Sequence, residues 1–600
     1  MANTHFFEER QRLFQGLSER FSTISNRFAT ARVSVFIAGV VLSIYFSNAR
    51  EGTLTYISVL GAITILVFLI HRHNKIKYKR DHNRFLAQIN SDEIHRLKGT
   101  IQSFEDGSEF INEEHPYTSD LDIFGRNSVF QLVNRTATIP GKQLLAKWLQ
   151  NLADFDQIVG RQKAVTKLAT QVDWSQQFQA SAIHFKNKSA DLGPLLRWMD
   201  NEDEFSNNKI SIIASFILPL ISFFAIIGYA ILDWSFYWFI FSIIPGGTIL
   251  IRKLNSVSQA SERITNSLST IRAIHSLILQ IKKVSIESTY LEEYRNKLFN
   301  NQYNILNEIK HLKLLLQFFE ARSNAVYLFL NVLFMGDFHL MRAAEKWRKR
   351  NKSNLNNWFE IVGEFESINS LAGTLHTHDD FVMPTITNEF RLKLIAVGHP
   401  LINPLERVCN DFAMEGKGKV VIITGSNMSG KSTFLRTLGV NIILAQMGGP
   451  VCAKEAGIPY TSVFSGMRIK DNLEEHISSF YAELKRIKQL LDWLKNKELP
   501  MFYLLDEILK GTNSKDRHLG SEALIQQLSQ TTSFGIVSTH DLSLGNLSED
   551  SDLIVNQNFS SSIEGNEIMF DYKIRPGVCN SFNASKLMEK MGIVGPSKSG

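Results

Sequence analysis

Apolar residues along this chain follow three patterns that change at recognisable points. Two pairs of continuous apolar runs come first, a long region with apolar residues at three- and four-residue spacing follows, and from about 390 short β-rich runs alternate with helical segments. These patterns are typical of membrane spans, of packed helices, and of a parallel sheet covered by helices. We therefore predict a multidomain protein with an α-helical core or lever domain that carries two transmembrane helical hairpins, followed by an α/β domain.

The four long apolar runs form two pairs. Residues 33–46 and 54–70 flank a short polar link, and residues 210–232 and 235–251 are separated by two residues. A spanning helix needs about 20 apolar residues, with roughly 17 as the lower limit. The second pair is long enough and the first is short, so buried core helices are the alternative. A further run, 325–336, contains Asn331 and is too short to span, so we expect a core helix there.

Positive charge lies beside these runs and is scarce in the turns within each pair. The flanking basic residues are Arg27, Arg32, those of the run 72–84, Arg252 and Lys253. The positive-inside rule then predicts a multi-pass protein of the inner (cytoplasmic) membrane, with both termini, residues 71–209 and the α/β domain in the cytoplasm. Membrane lipid is accordingly an expected partner.

Composition and charge exclude few classes of partner or site. The formal net charge of +6 permits nucleic acid or anionic lipid as a partner but requires neither. The three cysteines, Cys409, Cys452 and Cys579, have no paired spacing, which argues against a disulfide framework or a thiolate zinc site. The charged N-terminus has no small-residue cleavage site, so we expect no secretory signal peptide.

A phosphate-binding motif opens the α/β region. Residues 425–432 fit G-x-x-x-x-G-K-[ST] without mismatch, between an apolar strand and a helix. In this motif Lys431 reaches the β- and γ-phosphates, and the Ser432 hydroxyl binds Mg²⁺. The predicted phosphate-binding residues are Gly425, Ser426, Asn427, Met428, Ser429, Gly430, Lys431, Ser432 and Thr433.

Two later strand ends carry candidate catalytic residues. An apolar strand ends in Asp506 and Glu507, which suit Mg²⁺ binding and the activation of water; capping of the next helix is the alternative. Another apolar strand ends near His540, where open α/β sheets place ligands. We interpret His540 as a γ-phosphate sensor, although a lone histidine is more often structural.

These motifs resemble those of the MutS family of ATPases. The resemblance rests on "TGSNMSGKST" (424–433), "DEILKGTNSKD" (506–516), "MRIKDNLEEHISSFYAEL" (467–484), "GHPLINP" (398–404) and the segment 570–593. Ser426 and Ser429 replace a proline and a glycine of the family pattern, and Lys510 replaces an arginine. In all, the resemblance covers about 121–185 and 255–595, and its match to the helical core is weaker than that of the ATPase motifs.

The resemblance implies a P-loop NTPase domain of the ABC/MutS type that hydrolyses ATP with Mg²⁺. It also implies a homodimer in which Ser478 and Ser479 of one subunit complete the phosphate site of the other. Arg407 and Val408 would lie near the adenine, with Arg407 where an aromatic residue is expected. Glu507, Lys431 and His540 would be the catalytic residues, and no small-molecule substrate beyond ATP is expected.

The expected domain order follows from these patterns. The segments are an N-terminal amphipathic segment (1–32), hairpin 1 (33–70), a basic linker (71–115), the first part of the helical core (116–208), hairpin 2 (209–252), the core and lever (253–388) and the ATPase domain (389–600).

The mismatch-reading domain of the family has no counterpart in this order. Phe6, Phe7 and Glu8 fit its Phe-x-Glu motif, but they lie in a polar helix and we interpret them as a chance match. Basic segments around 282–283, 310–313 and 342–352 could line a clamp on double-stranded or branched DNA, or could be solvated helix faces. We rank three functions. The first is a membrane-anchored, DNA repair-like ATPase that binds DNA. The second is ATP-driven remodelling or sensing of membranes or protein complexes without DNA, and the third is soluble mismatch recognition.

Overall fold

The computed structural model describes most of the chain. The described residues are 2–186, 193–200, 205, 209–265, 267–284, 287–299, 304–322, 324–426, 428–468, 479–496, 499–564 and 567–579.

Two long antiparallel helices form the N-terminal part. Helix α1 spans Ala2–Asn48 and α2 spans Gly52–Leu97, so each carries a polar half and an apolar half in one continuous helix. The apolar halves expose most of their large side chains. Residues 71–97, within the predicted linker, continue α2.

The polar halves of α1 and α2 dock on the helical core. Asn3 Nδ2 donates to the carbonyl oxygens of His376 and Thr377, at 3.2 and 3.1 Å. Phe7 is buried beside His376, with ring centroids 5.8 Å apart. The ring of Phe7 is therefore part of the packed interior.

The core is built from helices before and after a second apolar hairpin. The earlier helices are α3 (Val129–Val133), α4 (Ile139–Gln150), α5 (Phe155–Ala169), α6 (Val172–Ile183) and α7 (Gly193–Asp200), and the hairpin is α8 (Lys209–Ile231) and α9 (Tyr237–Thr265). The later helices are α10 (Leu268–Lys283), α11 (Thr289–Phe299), α12 (Ile305–Ala321), α13 (Ala325–Phe334), α14 (Gly336–Asn351) and α15 (Leu355–Thr377). Apolar faces of these helices and of the α/β domain share one buried cluster.

Among the described helices, α1, α2 and α8 are long and apolar enough to cross a membrane, judged by length and composition alone. The fourth predicted span is not confirmed. Helix α9 begins at Tyr237, two residues later than the predicted run, and its apolar part ends at Ile251 before Arg252 and Lys253. This part contains Pro245 and falls below the lower limit for an ordinary span.

The expectation of a core helix at 325–336 is wrong. Helix α13 packs beside α8 and α9, but Leu328, Phe329, Leu330 and Phe334 are exposed. Among the residues of this helix whose burial is described, Asn331 is the buried one, because its side chain accepts a hydrogen bond from the backbone N–H of Asp337, where the chain returns.

The C-terminal part is the expected α/β domain. Its strands are β1 (Phe381–Val382), β2 (Thr385–Thr387), β3 (Arg391–Val397), β4 (Asn410–Glu415), β5 (Val420–Gly425), β6 (Val451–Cys452), β7 (Glu455–Pro459), β8 (Ser462–Gly466), β9 (Met501–Asp506), β10 (Phe534–Thr539), β11 (Ile554–Glu564) and β12 (Glu567–Pro576). Its helices are α16 (Lys431–Gln446), α17 (Ser479–Asn496), α18 (Ser514–Ser529) and α19 (Leu547–Asp550).

The main sheet brings the predicted motifs to one edge. Its strand order is β12-β11-β5-β10-β9-β8, and β11, β5, β10, β9 and β8 run parallel. The central strands β5, β9 and β10 are fully buried, which explains their continuous apolar runs. Because parallel strands place their carboxyl ends at the same edge, residues after Gly425, Asp506 and Thr539 meet there.

Candidate functional site

The P-loop joins β5 to α16. Gly430 precedes the helix with φ of 102°, in the left-handed region that glycine adopts without strain, and a Cβ there would come 3.0 Å from Tyr572. Ser426, Met428, Ser429, Gly430, Lys431, Ser432 and Thr433 line a cleft of about 520 Å³ at the start of α16. Asn427 lies outside the described residues. The cleft has the size and place that a nucleotide needs at a helix N-terminus.

Two P-loop serines fit a phosphate ligand. The hydroxyl oxygens of Ser426 and Ser429 are buried and have no hydrogen-bond partner among the described residues. A buried hydroxyl without a partner is costly, and phosphate oxygens in the cleft would accept from both. These are the two positions at which the P-loop departs from the family pattern.

Lys431, His540 and Glu507 are brought together as predicted from their strand ends. Lys431 Nζ donates to the carbonyl oxygens of Gly425 and Ser426, at 2.8 and 3.0 Å, and lies 3.5 Å from His540 Nδ1. His540 Nε2 hydrogen bonds to the Glu507 carboxylate, which also pairs with Lys510 at 2.9 Å. Burial lowers the pKa of Lys431, opposed by the nearby Glu507 and Asp506 carboxylates.

The Glu507 carboxylate is held in its ionised form. The hydrogen bond from His540 is the largest cause, and the hydrogen bond from Lys510 adds to it, against the effect of burial; the pKa falls to about 2. Glu507 also lines the cleft, with φ of 52°. A carboxylate in this place can accept a proton from, or orient, a water molecule beside the terminal phosphate.

Ser432 and Asp506 carry the oxygens that fit Mg²⁺. Ser432 lines the cleft, and one carboxylate oxygen of Asp506 accepts a hydrogen bond from the Ser538 hydroxyl. Among the described residues no group of three or more His, Cys, Asp or Glu is arranged for a metal ion. Mg²⁺ takes one or two protein oxygens and completes its shell with water and phosphates, so Ser432 and Asp506 would be the residues that hold it.

The two residues predicted near the adenine lie differently with respect to the cleft. Val408 lines the cleft together with Ile402, whereas Arg407 is not among its lining residues. The assignment of both residues to the adenine stays a prediction. The Arg407 guanidinium turns to Asp380, where it forms an ion pair, and also donates to the His399 carbonyl oxygen at 3.4 Å. The pair with Asp380 satisfies a charge that would otherwise be buried.

Tyr572 is one of the aromatic residues that line the cleft, together with Phe434 and Phe559, and no motif in the sequence marks it as part of the site. It lies on β12 with φ of 56°, and its carbonyl oxygen accepts a hydrogen bond of 3.0 Å from Asn410 Nδ2 on β4. Its ring stands over Gly430 and lines the cleft. The sequence signal for Tyr572 is weak, because the segment 570–593 also contains Phe570 and Phe582 and lies more than a hundred residues from the P-loop.

A loop after β9 joins the cleft to the start of α17. The buried Glu483 carboxylate on α17 accepts a hydrogen bond from the backbone N–H of Leu509, which has φ of 59°. A Cβ on Gly511 would lie 2.6 Å from Phe480 Cβ, so the loop and the helix start are in direct contact. Ser479 is the first residue of α17, and Ser478 lies outside the described residues.

Comparisons with known proteins agree with this fold. Residues 421–593 match the family model of MutS domain V. A DNA mismatch repair protein MutS of Thermotoga neapolitana is 30% identical over 244 residues, which cover 40% of this chain and 30% of that protein. The MutS protein of Bacillus mycoides is 28% identical over 294 residues, covering 48% of this chain and 32% of that protein. The matches therefore span about a third of these curated relatives.

Proposed function

Because this chain belongs to the MutS family through its C-terminal domain, we propose that it is a membrane-anchored ATPase whose nucleotide-switched homodimer acts on DNA at the membrane surface. ATP and Mg²⁺ bind in the cleft between the P-loop and Glu507. The observation that carries the proposal is an assembled nucleotide cleft on a chain whose two hairpins turn their apolar side chains outward.

The packing inside each hairpin supports membrane attachment. In the first hairpin the hydroxyls of Ser43 and Ser58 are 3.0 Å apart, and a Cβ on Gly39 would lie only 2.5 Å from Ala62 Cβ. In the second, the hydroxyls of Ser222 and Ser242 are also 3.0 Å apart. Small and hydroxyl residues inside, with large apolar residues outside, are typical of helices packed in lipid and would be costly in water.

Orientation follows from the docked ends of α1 and α2. Both polar halves lie against the helical core, so both ends of hairpin 1 are on the same side as the ATPase domain. The basic residues beside the apolar halves lie on this side as well, which favours the cytoplasmic face. The protein is accordingly proposed to sit in the inner membrane with its ATPase domain in the cytoplasm.

Dimerisation supplies the switch in this proposal. The start of α17, where the trans signature would lie, is linked through Glu483 to the loop that follows Glu507. Closure of a partner subunit on Ser478 and Ser479 would thereby act on the loop that carries the catalytic carboxylate. ATP binding and partner contact are expected to stabilise each other.

DNA is proposed as the ligand on two grounds. The relatives are named as DNA mismatch repair proteins, and α10 and α12 share a basic cluster of Arg272, His275, Lys310 and Lys313. Burial, together with the neighbouring positive charges, lowers the pKa values of His275 and Lys313. The run 342–352 is a weaker candidate than expected, because the buried Arg348 donates to the Trp198 carbonyl oxygen at 3.2 Å.

The second candidate function is ATP-driven remodelling of a membrane or protein complex without DNA. One observation favours it: hairpin 2 is inserted into the helical core itself, so α9 contacts α12 and α14, which lead on to α15 and the ATPase domain. Movement of the core would then be passed directly to the lipid-facing helices.

ATP hydrolysis in the presence of DNA distinguishes the two candidates. The purified protein in detergent is assayed with no DNA, homoduplex, mismatched and branched DNA, and the double variant Lys310→Glu, Lys313→Glu is the test of the basic cluster. We expect DNA to change the ATPase rate and the double variant to lose this response while keeping the basal rate. A weaker salt dependence of binding should accompany the loss.

Lys167→Glu, an exposed change on α5, is the matched charge control. If no DNA binds or alters turnover at low salt, DNA handling is excluded and the remodelling function takes its place. If Lys431→Ala leaves ATP turnover unchanged, the assigned nucleotide site is wrong.

A further inference from the structure

We propose that helix α13 inserts into the cytoplasmic leaflet of the membrane and contacts lipid acyl chains, as a third lipid-facing element beside hairpin 2. This inference rests on the proposed membrane attachment and goes beyond it, because α13 is too short to span and lies within the lever that leads to the ATPase domain.

The outward face of α13 is strongly apolar. The exposed fractions are 62% for Leu328, 65% for Phe329, 44% for Leu330 and 56% for Phe334. Four large apolar side chains on ten residues form a patch that a protein in water rarely shows. The patch continues the exposed apolar surface of α8, against which α13 packs.

Contacts with hairpin 2 set the depth of α13. Met335, directly after α13, has its Sδ 3.8 Å from the position of a Cβ on Gly246 of α9. His339 Nε2 donates to the Ser215 carbonyl oxygen of α8 at 3.2 Å. Gly246 and Ser215 each lie five residues inside the end of an apolar run, or about 7–8 Å along a helix. The junction of α13 and α14 therefore lies at the depth of the inner leaflet.

Polar groups at this junction are satisfied within the protein. Arg322 donates two hydrogen bonds to the buried Asp337 carboxylate, at 2.8 and 2.9 Å, and the Tyr327 hydroxyl donates a third at 2.9 Å. Asn331 Oδ1 accepts from the Asp337 backbone N–H at 2.7 Å. A backbone turn inside the lipid layer has to pair its polar groups within the protein, and the turn between α13 and α14 pairs those of Arg322, Tyr327 and Asp337 in this way.

The length of α13 fits one leaflet. Ten residues extend about 15 Å, half of a hydrocarbon core of about 30 Å. Helix α13 can therefore enter from the cytoplasmic side and return through α14 without crossing. Continuity with α8 favours lipid over a protein partner as the occupant of this face.

Quenching by spin-labelled lipids tests the insertion. A Cys409→Ser chain is used because the other two cysteines are buried, and an environment-sensitive fluorophore is attached at Phe329→Cys or, independently, Leu328→Cys. The full-length protein is reconstituted in phosphatidylcholine–phosphatidylglycerol vesicles that carry nitroxides on the acyl chains. Phe224→Cys on α8 is the span control, and Lys346→Cys on α14 is the exposed polar control. Retained ATPase activity verifies the fold of each labelled variant.

We expect blue-shifted emission and loss of most fluorescence at positions 329, 328 and 224, and neither effect at 346. If the fluorophore is quenched at 224 but at 329 and 328 emits at the wavelength it has in water, the insertion of α13 is wrong and membrane attachment still holds. Blue-shifted emission at 329 without quenching would mean that protein covers α13, which also overturns the proposal. Absence of quenching at 224 would instead contradict membrane attachment itself.

Discussion

Lys431, His540 and Glu507 form a continuous series of polar contacts in the cleft. Each residue comes from a different strand end, and His540 stands between the P-loop lysine and the carboxylate. The hydrogen bond from His540 keeps the pKa of Glu507 at about 2, so this side chain is ionised throughout the neutral range. A γ-phosphate that enters the cleft would compete for Lys431 and expose Glu507 to water.

At the residue scale, we expect Glu507→Gln to bind ATP but to lose most hydrolysis. The amide retains the size of the side chain but cannot accept a proton, so turnover should fall by about 100-fold or more. An ATP-bound dimer should accumulate, which light scattering with and without ATP measures. The control Glu549→Gln, an exposed change on α19, should keep wild-type turnover. A variant that hydrolyses ATP at the wild-type rate would remove Glu507 from the mechanism.

At the element scale, Glu483 positions a loop without lining the cleft. Its carboxylate joins α17 to the loop after β9, and burial raises its pKa although backbone N–H groups of this loop oppose the shift. Glu483→Ala should therefore lower kcat by about 10-fold or more and leave ATP affinity nearly unchanged, since the lost contact positions Glu507 and not the nucleotide. Steady-state kinetics with separate nucleotide-binding measurements check this. Equal effects on kcat and on ATP affinity would contradict a positioning role.

The end of α2 is fastened to the core by a buried ion network. The Glu93 carboxylate pairs with Arg96 at 3.2 Å and with Arg135 at 2.7 Å, and accepts a hydrogen bond from the Thr377 hydroxyl at the end of α15. Burial alone would raise the pKa of Glu93, but Arg135 and Arg96 outweigh it and bring the pKa to about 2. The polar half of α2 is thus joined to the core by buried charged contacts as well as by the apolar packing of Leu86 and Ile89.

We expect Glu93→Gln to destabilise the protein by about 3–5 kcal/mol at neutral pH, because two buried arginines lose their counter-charge. Since the folded-state pKa of about 2 lies below the ordinary 4.5, the stabilisation by Glu93 is present above pH 4.5 and is lost as pH falls toward 2. Thermal unfolding in detergent at several pH values measures both effects.

Glu287→Gln removes an exposed pair with Lys167 and should cost less than about 1 kcal/mol. The difference in the free energy of unfolding between Glu93→Gln and the parent protein should be smaller at pH 3 than at pH 7. An equal difference at both pH values would mean that the charge of Glu93 does not cause the destabilisation.

At the scale of the whole molecule, the apolar surface is concentrated on α1, α2, α8, α9 and α13. The remainder has a shared core and a mixed polar surface. This division gives the molecule one end with an exposed apolar surface and one domain with the P-loop cleft, joined by helices that are continuous or directly packed. Both hairpins are continued by, or packed on, helices of the core: α9 contacts α12 and α14, and α2 contacts α6.

Membrane association should resist conditions that remove peripheral proteins. We expect the full chain to stay in the pellet after washing of membranes with alkaline carbonate or high salt, because release would expose both hairpins to water. Immunoblotting of pellet and supernatant measures this, with a known peripheral protein as the control for extraction. Release of the chain into the supernatant would exclude spanning.

The sequence by itself determined the elements that depend on local pattern. Continuous buried strands, the spacing of the P-loop and the acidic strand end at Asp506 and Glu507 predicted the α/β domain and its chemistry, because backbone geometry and strand polarity place such residues without help from distant ones. The same holds for the apolar runs of α1, α2 and α8.

Only the tertiary structure decided the contacts between distant segments. Arg407 pairs with Asp380 instead of lining the cleft, Tyr572 reaches the P-loop from β12, and α13 exposes large apolar side chains while Asn331 turns inward to the returning chain at Asp337. The physical reason is common to all three: the environment of a side chain depends on which partners the fold brings to it, and periodicity along the chain carries no information about those partners.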